Sequence, residues 1–178
     1  FETIHPFLDG NGRIGRLLFV VLLEQWHVLD APLLYLSVAF KRHRQEYYAC
    51  LDAVRTGGDW EGWTGFFLRC VREAADDAVA AARRLQTVIG EHRRALTAHG
   101  ETTMNAVRLF ESLPDHPMVT LPSAAKLIDA SPPTAGKAIG LLCRMNILQE
   151  VTGKQRDRVY AYQSYLDVLA EATGISRR

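Results

Sequence analysis

The stretch His5-Pro6-Phe7-Leu8-Asp9-Gly10-Asn11-Gly12-Arg13-Ile14-Gly15-Arg16 gathers an imidazole, a carboxylate, a Gly-Asn-Gly turn and two arginines at the mouth of an apolar run. Glycines let a ligand approach the backbone closely, and the unpaired N–H groups at a helix N-terminus, with its partial positive charge, attract anions. Arg13 and Arg16 lie on one face of the first helical turns, where both can fork onto phosphate oxygens. Arginines there oppose the helix dipole, so an anionic ligand explains them better than a structural role does. Asp9 beside a polyphosphate is a natural ligand for Mg²⁺, which prefers one or two carboxylates together with phosphate oxygens. His5 can take a proton from a hydroxyl nucleophile near neutral pH. A lone His or a lone Gly-Asn-Gly is ordinarily just a turn. Together at one helix start they read as a phosphoryl-transfer site.

Outward from the loop, Arg13 to Val28 is almost unbroken apolar apart from Glu24, Gln25 and His27, which predicts a buried central helix. A helix apolar on most faces needs packing partners all round. Phe1 is not an initiator methionine, so the chain reads as a fragment or a processed product whose upstream part supplies those partners. Asp30-Ala31-Pro32 is expected to break the helix. Ser37 is a fair N-cap for a second helix running to Thr56 and stopped by Gly57-Gly58, with Phe40, Tyr47, Leu51 and Val54 inward. Asp59 can cap a third helix reaching about Ala98. Along it Val71, Ala75, Ala78, Ala82, Leu85, Ile89, His92 and Leu96 recur at spacings of four and three, the seam of a coiled coil. Such a helix, roughly 60 Å long, is expected to connect two domains, its seam either packing inside a bundle or pairing with a second copy as a homodimer.

Beyond His99-Gly100 the pattern changes. Thr102 to Leu113 reads as a short helix with Val107 and Phe110 inward, followed by the turn Pro114-Asp115-His116-Pro117. A short extended Met118 to Thr120 comes next, then a helix from Pro122 to Asp129 and another starting at Pro132, with Ser131 as its cap and Leu141, Leu142 and Met145 inward. Alternation through Ile147 to Thr152, a turn at Gly153-Lys154, and alternation through Arg158 to Tyr162 predict a β-hairpin with a basic tip. Ser164 to Ala172 closes as a helix. Three helices and a hairpin make a winged helix.

The composition is that of a globular protein, 48% hydrophobic and 23% charged, with net charge +1. No apolar run reaches the 18 or so residues that a membrane-spanning helix needs, so no membrane is expected. No secretory leader is visible. Cys50, Cys70 and Cys143 are odd in number and widely spaced, which predicts neither a disulfide framework nor a zinc site and points to the cytoplasm. Residues 126–158 carry six basic residues against three acidic ones, a small excess for a nucleic-acid face.

The motif His-Pro-Phe-x-Asp-Gly-Asn-Gly-Arg-x-x-Arg is similar to the signature of the Fic family, with every fixed position matched. The likeness continues through Tyr35-Leu36-Ser37, Arg44-Gln45-Glu46-Tyr47-Tyr48 and Gly58-Asp59-Trp60 and covers about residues 1 to 75. It implies the C-terminal half of the Fic helical core over 1–75; with the patterns read above, the expected fold is mainly α, with a long connecting helix over 76–100 and a winged helix-turn-helix domain with a small β-hairpin over 101–178. The likeness also implies transfer of AMP from ATP to a Ser, Thr or Tyr hydroxyl of a protein substrate, with release of pyrophosphate. Carried over by the resemblance, His5 is the general base and Asp9 the Mg²⁺ ligand. Gly10, Asn11 and Gly12 form the anion hole, with Asn11 near the α-phosphate. Arg13 and Arg16 take the β- and γ-phosphates, and Ile14 and Gly15 complete the nucleotide-binding loop. Tyr47 and Tyr48 match positions lining the adenosine pocket. Phe7 packs beneath the loop. Gly12 stands where the phosphorylating Doc branch has Lys, which favours adenylylation. His43 stands where relatives often carry Asn, and Arg55 where some carry Asn near the nucleotide. The family's inhibitory Ser/Thr-x-x-x-Glu helix and its target-aligning flap normally lie upstream of the motif, and neither is in these residues.

Two other functions compete with the transferase: removal of AMP by the same loop with water as nucleophile, and DNA-binding regulation through the second module. For the latter, the helix from Pro132 to Asn146 would enter the major groove while Lys154, Arg156 and Arg158 meet the backbone. Ala135, Gly136 and Ala138 offer few side chains that read base edges, so a protein-docking or structural role is expected ahead of DNA.

Overall fold

The computed structural model describes residues 1, 4–29 and 34–174. Eight helices and three short strands occur among them, so the fold is mainly α as expected. The chain divides into two compact units, Phe1–Ala80 and Ala81–Arg178.

In the first unit, α1 (Asn11–Gln25) follows the loop, α2 (Leu36–Arg42) and α3 (Arg44–Gly57) come next, and α4 (Trp60–Ala98) begins here and continues into the second unit. The core is an aromatic cluster, because the inward positions of three helices are Phe, Tyr and Trp: Phe40, Tyr47 and Phe66 are buried with Leu36, Val20 and Cys70. Phe19 of α1 meets Phe40 edge-on at 5.9 Å, and Phe40 stacks on Phe66 at 6.0 Å. Such pairs each contribute about 0.5–1.5 kcal/mol beyond the area they bury.

One expectation is corrected in this unit. The single helix expected from Ser37 to Thr56 is two helices, broken at His43, whose backbone (φ −106°, ψ 37°) leaves the helical region. The ring of His43 is drawn to α4, where Nε2 lies 2.9 Å from Glu73 Oε2, and Arg42 pairs with Asp77 at 2.9 Å. Those anchors fix the bend where local propensity alone continues the helix. Within the described residues α1 buries one face, with Val20 buried and Leu17 and Val21 61% and 46% exposed. The break expected at residues 30–32 lies outside the described residues. The cap at Asp59 is as read: its Oδ1 accepts from the Gly62 N–H at 2.9 Å.

In the second unit, the last turns of α4 place Leu96 in a core with Ala106, Leu109, Phe110 and Leu113, and Val88 and Ile89 pack against it. Part of the expected seam is thus internal packing. Helix α5 (Met104–Ser112) is capped by the Thr103 side chain. Its inward face is Ala106, Leu109 and Phe110, with Val107 only partly buried. Strand β1 (Met118–Thr120) leads into α6 (Leu121–Leu127) through a capping box of Thr120 and Ser123, and α7 (Pro132–Arg144) follows. Ser131 occupies the N-cap, but its hydroxyl pairs with Thr134 Oγ1 at 2.9 Å and caps no backbone N–H. Asp129 and Asn146, both at positive φ, close α6 and α7.

The expected hairpin forms as β2 (Gln149–Glu150) and β3 (Val159–Ala161), shorter than the alternation implied, since Ile147 and Leu148 turn into the core. Strand β3 is central: it pairs antiparallel with β1 (Val119 opposite Tyr160) and with β2 (Glu150 opposite Tyr160). Helix α8 (Gln163–Ala172) ends the described structure. Tyr162 is fully buried, and its hydroxyl lies 2.8 Å from His92 Nδ1.

Candidate active site

The loop is built from its glycines. Gly10 is the N-cap of α1 at φ 82°, ψ 3°, a left-handed geometry that costs an L-residue about 1–2 kcal/mol. Its carbonyl accepts from the N–H groups of both Arg13 and Ile14 at 3.0 Å. The N–H groups of Asn11 and Gly12 precede the first of these bonds, which is the arrangement that presents donors to an anion.

Asn11 is 3% exposed, the one polar residue so buried among the described residues. Its Oδ1 accepts from the Phe7 N–H at 2.9 Å, and its Nδ2 donates to the Phe7 carbonyl at 2.5 Å. The side chain therefore shapes the loop from within. Phe7 itself is 50% exposed, so it does not pack beneath the loop; its ring lies 6.3 Å from that of Phe1. Leu8 is fully exposed, and so is the rim of the loop.

Asp9 uses both oxygens locally: Oδ1 accepts from the Gly10 N–H at 2.6 Å, and Oδ2 meets Arg13 Nη2 at 3.1 Å. Both side chains are mostly in water, 91% and 74% exposed, so the pair adds at most about 1 kcal/mol and yields readily to a ligand. Among the described residues no three His, Cys, Asp or Glu side chains form a metal cage. A single accessible carboxylate fits Mg²⁺, which takes its remaining ligands from phosphate oxygens and water. His5 is exposed and held at φ 48°, uncommon for a residue with a side chain, with its N–H bonded to the Phe1 carbonyl at 3.1 Å.

Arg16 Nη1 stands 3.3 Å from the place a Cβ on Gly12 would take, and Arg16 lines a cavity of about 360 Å³ together with Ser37, Lys41, Arg44, Tyr47 and Tyr48. The two tyrosines are thus brought to one cavity with the last residue of the motif. Tyr47 is buried, Tyr48 is half exposed, and the Arg44 guanidinium lies over the Tyr48 ring at 5.7 Å. Ile14 is 39% exposed. Gly15 faces a second cavity of about 220 Å³, walled by Phe1, Leu18, Leu51, Val54, Trp60 and Trp63, with Arg55 as its charged residue.

Sequence reading missed Lys41 and the aromatic cavity. Lys41 sits on α2, and only the break at His43 sets it beside residues of α3. Phe1, Trp60 and Trp63 come from segments far apart in the chain, so no spacing advertises their meeting.

A glycine-capped helix N-terminus with an accessible carboxylate next to it is a geometry that suits an anion and a cation together. The model of the Fic/DOC family matches residues 1–23, and over that stretch the chain is similar to the family. It is 42% identical over 57 residues to a probable protein adenylyltransferase, aq_aa38, of Aquifex aeolicus, covering 32% of this chain and 15% of that one. To the protein adenylyltransferase Fic of Nematostella vectensis it is 35% identical over 103 residues, 57% of this chain and 22% of that one. The chain thus spans under a quarter of the length of these relatives. The crystal structure of RV1404 from Mycobacterium tuberculosis superimposes at a TM-score of 0.34 with 22% identity, over 57% of this chain and 71% of that one. No helix among the described residues is long and apolar enough to cross a membrane.

Proposed function

We propose that the protein is an adenylyltransferase that moves AMP from ATP onto a Ser, Thr or Tyr hydroxyl of a target protein and releases pyrophosphate. The observation that carries the reading is the loop itself. Gly10 and the internal Asn11 clamp present the start of α1 to an anion, while Arg16 extends from Gly12 into the cavity lined by Tyr47 and Tyr48. The named activities of the two curated relatives support it.

In this reading the acceptor hydroxyl gives its proton to His5 as its oxygen bonds to the α-phosphorus, and the bond from that phosphorus to the α,β-bridging oxygen breaks, so pyrophosphate leaves. The N–H groups of Asn11 and Gly12 take the charge that grows on the α-phosphate oxygens, and Arg13 and Arg16 hold the departing phosphates. Asp9 would hold Mg²⁺, which supplies neutralisation of the phosphate charge. Transfer is read with ATP labelled either at the α- or at the γ-phosphate. Adenylylation puts only the α-label on protein; a γ-label on protein would make the enzyme a kinase and refute the proposal.

Residues 101–178 read as a winged-helix module that docks protein. Residues 126–158 carry only a small basic excess, and Arg144 is paired with Glu101 at 3.1 Å, a modest charge for a DNA backbone. A cytoplasmic setting and a homodimer joined through α4 belong to the same reading.

A further inference from the structure

We infer that His43 is a positioning residue for the nucleotide cavity: anchored to Glu73 of α4, it fixes how α2 and α3 meet and so sets the cavity that both helices wall. The inference rests on the nucleotide reading of the site. The cavity is divided between the helices on either side of the break, with Ser37, Phe40 and Lys41 from α2 and Arg44, Tyr47 and Tyr48 from α3. His43 is the single residue between them, at once the C-cap of α2 and the N-cap of α3. Its N–H donates to the Ala39 carbonyl at 3.0 Å, and its carbonyl accepts from the Tyr47 N–H at 2.9 Å. One residue thus carries backbone bonds to both walls. Its side chain makes no local cap for α3; Nε2 lies 2.9 Å from Glu73 Oε2 instead.

The anchor belongs to a ladder on α4. Arg69, Glu73 and Asp77 recur every four residues, hence along one stripe of the helix. In order they hold Glu46 of α3, His43 at the junction and Arg42 of α2. The stripe therefore grips the wall helices on both sides of the bend and at the bend itself. The middle rung is the least open to water, its side chains 31% and 28% exposed against 43% to 49% in the outer two, so it is screened least. It also acts where the backbone departs from the helix. Without it, helix propensity favours running on from Arg42 into Arg44, which turns Phe40 and Lys41 relative to Tyr47 and Tyr48. The Phe40 and Tyr47 rings, 5.1 Å apart across the break, record the packing that the bend permits.

The test is calorimetric titration of the full chain with ATP and with AMP, for the parent, His43→Ala, Glu73→Ala, the double variant and the conservative Glu73→Gln, with circular dichroism and a thermal melt on each. Both alanine variants should weaken ATP and AMP alike, by about tenfold, because Tyr47 and Tyr48 wall the part that the two ligands share. The double variant should bind no worse than either single one, since the two residues act as a unit. Glu73→Gln, whose amide oxygen still accepts from the imidazole, should stay within about threefold of the parent. Should His43→Ala not fold, Glu73→Ala carries the same prediction, because it leaves the ring in place and removes only its anchor. A merely structural contact predicts lower melting temperatures with unchanged affinities of the folded protein; that result overturns the inference and leaves the nucleotide reading standing. So do losses that add in the double variant, or a loss confined to ATP. A parent that binds neither nucleotide removes the nucleotide reading, and the inference with it.

Discussion

The side-chain amide of Asn11 holds both backbone polar atoms of Phe7, accepting from its N–H at 2.9 Å and donating to its carbonyl at 2.5 Å. One buried residue at the first turn of α1 thereby sets the path of the chain from Phe7 to Gly10, and with it the separation of His5 and Asp9 from the helix N-terminus. Asn11→Ala should therefore cost activity out of proportion to stability. Phe7 is open to water, which can replace the lost bonds, so we expect about 1 kcal/mol of destabilisation in urea unfolding. Transfer should fall at least about a hundredfold because the loop loses its fixed geometry. An Asn11→Ala protein with near-parent activity would show that the clamp does not organise the site.

Gly10 is a second backbone constraint. At φ 82° any side chain is strained, and a Cβ there would also stand 3.5 Å from Arg13 Nη2. Gly10→Ala should lose about 1–2 kcal/mol by urea unfolding, and Gly57→Ala, where a Cβ meets open space, should lose none by that cause. Equal effects at the two positions would contradict the assignment of strain to Gly10.

How far the sequence revealed these features depends on whether they are local. The loop, the cap at Asp59, and the order of α5 to β3 follow from residues within a few positions of one another, so they can be read directly. The break at His43 depends on Glu73, thirty residues away, and its helix-forming neighbours conceal it. Arg16 is a candidate from the motif and Tyr47 and Tyr48 from the wider resemblance, and their convergence with Lys41 on one cavity is tertiary. The pairing of β1 with β3 is tertiary too, since a three-residue strand has too short an alternation to show a partner.

The second unit carries a pH-sensitive contact. Burial holds the His92 imidazole below its ordinary value, partly opposed by Glu91, and pushes the Tyr162 hydroxyl up to about 12. In the unfolded chain His92 binds its proton at the ordinary value of about 6.5, whereas the folded ring binds it only at lower pH. The unfolded state thus holds more protons in that interval. The contribution of His92 is fully present above about pH 6.5 and is lost as pH falls through the folded value. Thermal melts of the parent and of His92→Gln between pH 5 and 8 read this as a difference: the parent should lose more stability on acidification. Parallel pH profiles would contradict it.

Thiol chemistry offers a separate check on burial. Cys70 is fully buried, and desolvation, reinforced by Glu73, pushes its thiol up to about 11. Burial also raises the thiols of Cys50 and Cys143. The thiolate is the reactive species, so iodoacetamide at pH 7.5 should alkylate all three slowly and Cys70 last, reaching it freely only in denaturant. Mass mapping that finds Cys70 modified first in the native protein would contradict the packing of α4 against the aromatic core.

The most direct measurement is transfer of α-labelled AMP from ATP with Mg²⁺ onto protein in a cell lysate by the parent chain and by His5→Ala, with ATP affinity measured alongside. The imidazole acts on the acceptor hydroxyl and not on the nucleotide, so His5→Ala should lose transfer by at least about a hundredfold while binding ATP within about threefold of the parent. Labelling by His5→Ala at the parent rate would contradict the role given to His5 and, with it, the chemistry assigned to the loop.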